Sequence, residues 1–150
     1  MPACANHMDR TLRNLPCKRI QCYETWSFVY AKQKNVPADK IGPFGYGEVW
    51  TFVAIDADTK LVCSSLVGSR DAGSAYEFIQ DLASRLAHRV QLTTDGLKVH
   101  INAVEDAFGA DIDYPTLNKR YGSPAENEKR YRPARIIGVR AATTSGDPDP

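Results

Sequence analysis

The hydrophobic period changes partway along this chain, and that change decides what the chain can fold into. From Ile20 to Val67 apolar and β-branched residues come in short runs with the two-residue repeat of strands. Beyond Gly68 the repeat becomes helical: Ala75, Phe78, Ile79, Leu82, Ala83 and Leu86 fall on one stripe. Ser74-Ala-Tyr-Glu77 has the spacing of a capping box, and Arg85, His88 and Arg89 suit the negative end of the helix dipole. Strands followed by a helix exclude an all-helical bundle and an all-β sandwich.

The strands can be placed individually. Ile20 to Tyr30 is rich in aromatic and β-branched residues. Alternation puts Cys22, Glu24, Trp26 and Phe28 on one face and Tyr23, Thr25, Ser27 and Val29 on the other. Residues 31–47 form a long loop carrying Lys32, Lys34 and Lys40. Val49–Ile55 and Leu61–Val67 are joined by a turn-rich connection, Asp56 to Lys60, suited to a hairpin, which completes a three-stranded meander. Val90 to Thr94 is a short strand ending in Asp95-Gly96, and a second helix spans about Val99 to Phe108, closed by Gly109. Ile112–Leu117 is a fifth strand, placed at an edge because Pro115 cannot donate to a ladder. Arg135–Ala141 can form a last short strand, and the terminal Ser-Gly-Asp-Pro-Asp-Pro is expected to be disordered. The order β-β-β-α-β-α-β predicts an α/β fold, a mixed sheet with helices on its faces, and ribonuclease H-like domains share that order. The divisions are an N-terminal extension (1–19), the sheet domain (20–122) and an irregular, partly disordered tail (123–150).

Composition removes several classes. Nineteen Lys and Arg against eighteen Asp and Glu give a net charge of +1, which excludes a polybasic tail or an acidic solvating chain. The four cysteines, Cys4, Cys17, Cys22 and Cys63, lack the spacing of a zinc knuckle and are expected to be reduced thiols. With no secretory leader and no apolar run near the ~20 residues of a membrane span, a cytoplasmic chain without a membrane partner is expected.

Asp95 is the leading site candidate. It stands at the C-terminal end of a strand predicted to be parallel, where open α/β sheets place ligands, and a carboxylate there can ligate Mg²⁺. The competing reading is a solvent-facing Asp-Gly turn. Asp56 and Asp58 fit turn chemistry. His88 and His100 have no partner at ligand spacing and read as one helix end and one surface position. Trp26, Trp50, Phe28 and Phe52 read as the core of adjacent strands instead of a base-stacking platform. The lysines of the 31–40 loop are candidates for phosphate contact or simple solvated charge.

Four strings occur in order: Cys22-Tyr-Glu-Thr-Trp-Ser-Phe-Val29, Ala54-Ile-Asp-Ala-Asp-Thr-Lys60, Leu92-Thr-Thr-Asp-Gly96 and Ala107-Phe-Gly-Ala-Asp-Ile-Asp-Tyr114. Together they resemble an IS-one-type insertion-sequence transposase, from about residue 3 to the last residue. The resemblance implies a ribonuclease H-like catalytic domain, incomplete at its C-terminus, with an Asp-Asp-Glu triad holding two Mg²⁺ or Mn²⁺ ions. It implies metal-dependent strand cleavage and strand transfer at insertion-sequence ends, with transposon-end and target DNA as partners. Matched residue by residue, Asp95 is the second acid of the triad and a metal ligand, and Tyr23 occupies the place of the first acid. A neutral phenol is a poor ligand for a hard cation. The third acid falls beyond Pro150. Because alternation turns Glu24 away from the direction of position 23, Glu24 is not expected to substitute. The resemblance thus implies a truncated copy, inactive in catalysis and not binding the ions productively. The alternative is a non-catalytic DNA-binding or dimerising remnant that modulates an intact transposase through a dimer or hetero-oligomer, with Lys32, Lys34 and Lys40 as its candidate DNA contacts.

Overall fold

A computed structural model of the chain describes residues 2–42, 45–95, 98–122 and 135–149. The N-terminal extension forms helix α1 (Pro2–Thr11). The meander follows as β1 (Arg19–Val29), β2 (Gly47–Asp56) and β3 (Val62–Gly68), and the 31–47 loop contains two single 3-10 turns, Gln33–Asn35 and Ala38–Lys40. Helix α2 (Ala72–Arg85), β4 (Val90–Thr93), α3 (Lys98–Phe108), β5 (Ile112–Tyr121) and β6 (Ile136–Ser145) complete the chain. The six strands form one mixed sheet in the order β3-β2-β1-β4-β5-β6. β1 is antiparallel to β2 and parallel to β4, β4 is parallel to β5, and β6 returns antiparallel to β5.

Alternation sorts each strand. Ile20 and Cys22, Phe52 and Ala54, Val90 and Leu92, and Ile112 and Tyr114 all point to one face, where they are buried. Against that face pack Ala75, Phe78, Ile79 and Leu82 of α2 and Ala103 and Val104 of α3. Both helices therefore lie on one side of the sheet, where the pattern alone suggested helices on both. The opposite face carries Tyr23, 42% exposed, and Val67, 66% exposed.

Three details depart from the sequence pattern. The N-cap of α2 is Asp71, whose carboxylate accepts the Ser74 N–H at 2.8 Å, so the helix starts one turn before the Ser74–Glu77 box. Removing that acceptor in Asp71→Ala is expected to lower stability, readable as a downward shift in the urea midpoint at constant slope.

Pro115 is not at an edge, since β5 pairs with β4 on one side and β6 on the other. The β5–β6 register shifts between Tyr114 and Pro115, and such an irregularity is where a sheet tolerates the missing N–H. The tail also departs from an irregular ending. β6 runs to Ser145, and beyond it the Asp147 N–H donates to Asp113 Oδ1 (3.0 Å) while the Asp149 N–H donates to Gln91 Oε1 (2.9 Å). No helix among the described residues is long and apolar enough to cross a membrane.

Candidate metal centre

The parallel pairing of β1 with β4 aligns Ile20 with Leu92 and Gln21 with Thr93, so the two strands run side by side toward their C-terminal ends. Just past that pairing β1 presents Glu24. Its position in the alternation continues the buried series of Ile20 and Cys22, and its side chain is only 2% exposed. The end of β4 is tied down by Thr94, whose hydroxyl shares a 2.8 Å hydrogen bond with the Tyr114 hydroxyl and whose carbonyl accepts the Leu117 N–H at 2.9 Å. Asp95 follows immediately.

Helix α3 then brings His100 in from its first turn. His100 stands three and four residues before the buried pair Ala103 and Val104, which places it on the same helical stripe. It is completely buried, and its ring lies 5.9 Å from Phe52 between centroids. This corrects the expectation of a surface position.

Glu24, Asp95 and His100 each offer a ligand atom, and these atoms lie within 4.8 Å of one another. His100 Nε2 is 3.7 Å from Glu24 Oε1, and Arg70 Nε approaches the same oxygen at 3.8 Å. Glu24 Oε1 and both ring nitrogens of His100 are buried without a hydrogen bond among the described residues. Orphaned buried polar atoms are uncommon in folded proteins, and an ion is one of the few things that accounts for them.

The electrostatics point the same way. Burial, reinforced by the charge of Asp95 and a hydrogen bond to it, pushes the Glu24 carboxyl up to about 7. Burial pulls the His100 imidazole below its ordinary value, only partly opposed by Asp95, so the ring is neutral near pH 7. A neutral imidazole beside two converging carboxyl groups is a ligand set lacking its positive charge.

The structure thus brings Glu24 to Asp95, against the expectation that strand alternation turns it away. The alternation itself holds. What differs is the side of the sheet on which the site lies, which is the helix-covered side and not the side addressed by Tyr23. Tyr23 stands on the open face. Glu24 is legible as a member of the Cys22 face. His100 can be found from its spacing to Ala103 and Val104.

The remaining candidates lie elsewhere. Asp56 caps its own hairpin, accepting from the Thr59 N–H (3.1 Å) and hydroxyl (2.5 Å), and Asp58 pairs with Arg19. His88 is exposed. Lys34 is exposed on the first 3-10 turn, and Lys32 and Lys40 lie against aromatic rings. All four cysteines are free thiols, and Cys17 and Cys63 touch at 3.8 Å inside the core. Phe52 is fully buried and Trp50 packs against the core, but Trp26 and Phe28 are 39% and 46% exposed, a correction to their expected core placement. Beyond Glu24 the strand runs past the helices that would cover it.

Compared with known proteins, the chain matches no family model, and no curated protein shows significant similarity to it.

Proposed function

We propose that the chain is a transposase-related domain of ribonuclease H-like fold, in which Glu24, Asp95 and His100 hold one divalent cation against DNA phosphate. The observation that carries this reading is the convergence of a β1 carboxylate and a carboxylate at the end of β4 on a buried, orphaned imidazole. The strand order, with β1, β4 and β5 parallel at the centre and the meander beyond β1, agrees with it, as do the four sequence strings. Two oxygens and one nitrogen suit Mn²⁺ better than Mg²⁺, which prefers oxygen ligands.

An ion held there would supply Lewis-acid activation and charge neutralisation at a phosphodiester. The protein's own contribution is positional. β1 and β4 hold the two carboxyl groups on adjacent strands, Phe52 backs the imidazole, and Arg70 stands at the rim with a cation for phosphate. Asp95, the least buried of the three, stands just past the end of β4. Strand cleavage by two ions requires a further carboxylate beyond the pair that meets here, so we read this copy as binding the ion without cutting DNA. DNA remains its partner in this reading.

The test is Mn²⁺ titration by electron paramagnetic resonance, with nicking of supercoiled plasmid measured in parallel. One bound ion per chain is expected, with affinity reduced about 10–100-fold or more in Glu24→Gln and in Asp95→Asn, and no nicking. Unchanged affinity in both variants would remove the site. Nicking by the parent chain that disappears in Asp95→Asn would remove the claim of inactivity.

A further inference from the structure

Past Glu24, the face of β1 that carries the metal site continues outward as an aromatic row. Trp26 and Phe28 occupy the next two positions of that face, their rings 5.7 Å apart between centroids. Trp50 stands directly across from Trp26 on β2. At the far end Tyr30, whose φ of 68° turns the chain out of the strand, stacks on Tyr46 at 4.7 Å.

Trp50, Trp26 and Tyr30 each have a cation beside them. The Arg70 guanidinium lies 4.5 Å over Trp50, Lys32 Nζ lies 5.7 Å from Trp26, and Lys40 Nζ lies 4.9 Å from Tyr30. Arg70 is also the residue that reaches Glu24, so the row begins at the rim of the metal site. Side chains on one strand face repeat every ~6.8 Å, so Trp26 and Phe28 stand about one and two such steps from Glu24.

Exposed aromatic faces flanked by cations have the composition of a surface that stacks unpaired bases and holds their phosphates. The rings and Arg70 would suit a protein or a base, but Lys32 and Lys40 argue against a second protein as occupant, because lysine is depleted at the centres of protein interfaces. Duplex DNA keeps its base faces stacked on one another and offers nothing to these rings. Glu48, across from Phe28 on β2, is exposed, so the phosphates would follow the side of Lys32 and Lys40.

We infer that the Trp26–Phe28–Tyr30 row binds a single-stranded nucleic-acid segment adjoining the cation site of Glu24, Asp95 and His100. The inference rests on the reading of that site as one for DNA, and it adds that the strand beside the site is unpaired.

The experiment uses the whole chain and a fluorescein-labelled 12-nucleotide single-stranded DNA, with a duplex of equal length as comparison, in EDTA so that no cation contributes. The parent is expected to prefer the single strand. Trp26→Ala with Phe28→Ala should weaken that binding at least about tenfold, since each stacked base is worth ~1–3 kcal/mol. Lys32→Gln with Lys40→Gln leaves the rings in place and should reduce the slope of log K against log salt by about 0.7 for each phosphate no longer neutralised. Equal affinity for single strand and duplex, or single-strand binding untouched by the aromatic variant, would overturn the inference. So would a concentration-dependent dimer that the aromatic variant abolishes, because the row would then be a self-interface. Failure of the cation site shows separately, as unaltered Mn²⁺ affinity in Glu24→Gln and Asp95→Asn.

Discussion

Arg85→Ala is expected to lower the unfolding free energy by about 3 kcal/mol, a large share of the ~5–15 kcal/mol typical of a domain. Arg85 is 8% exposed in its side chain and ties α2 to α1. It donates to both oxygens of Asp81 (2.7 and 2.9 Å), to the Met8 carbonyl (3.0 Å) and to Asp9 Oδ1 (3.1 Å). Truncation leaves Asp81 without its main donor and unhooks α1 from the end of α2. The effect falls at the lower end of the range for broken buried pairs because Asp81 keeps about a third of its surface in water (34%).

The same network makes a pH prediction. Burial alone would raise Asp81, but hydrogen bonds from Arg85 and Ser64 outweigh it and hold the carboxyl below its ordinary value. A carboxyl depressed by folding stabilises fully above its unfolded value of about 3.9 and loses that stabilisation as pH falls through its folded value. The parent should therefore lose part of its stability below about pH 4, and Arg85→Ala should lose less over the same interval. Urea unfolding at pH 7 and pH 3 for both proteins checks the two statements together. A variant as stable as the parent at pH 7 would show that the network contributes nothing net.

The second large effect is expected at Phe52. Its side chain is fully buried, with Phe78 at 5.6 Å and His100 at 5.9 Å between ring centroids. Phe52→Ala should cost about 3–5 kcal/mol, through reduced burial and the cavity left between sheet and helix. Because that cavity opens beside His100, Mn²⁺ affinity should fall about tenfold as well, the size of change seen when a ligand loses its support. Phe52→Leu should recover most of the stability. Chemical unfolding paired with Mn²⁺ titration on both variants separates the two effects. Full cation affinity in a folded Phe52→Ala protein would mean that His100 is held by α3 alone.

How much of this is legible in the residues depends on how local each signal is. The β1–β3 meander and α2 are readable because their patterns are local: alternation from Ile20 and a 3.6-residue stripe from Ala75 each name a buried face without reference to anything distant. Pro115 misleads because one missing N–H reads as an edge, whereas an irregularity in the β5–β6 register accommodates it. The tail's lack of apolar residues carries no information about backbone hydrogen bonds such as those from Asp147 and Asp149. Asp95 is legible from its position at a strand end. Glu24 and His100 escape a local reading because the site depends on which face the helices cover, and that is decided by packing across the sheet. Trp26 and Phe28 have the hydrophobicity of core residues. Only the extent of the helices beneath them determines that they stand in solvent.

The parallel pairing of β1 with β4 has a consequence for how the site comes into being. Ile20 meets Leu92, so this contact closes a loop of about seventy residues, while the meander and α2 need only near neighbours. Long closures lose more chain entropy and slow folding. Glu24 lies on one side of that closure, and Asp95 and His100 lie on the other. A chain that has completed its meander but not seated β4 has Glu24 without its two partners and no binding site. Cation binding would therefore report the seating of β4 beside β1, and the ion would favour the seated form over the unseated one.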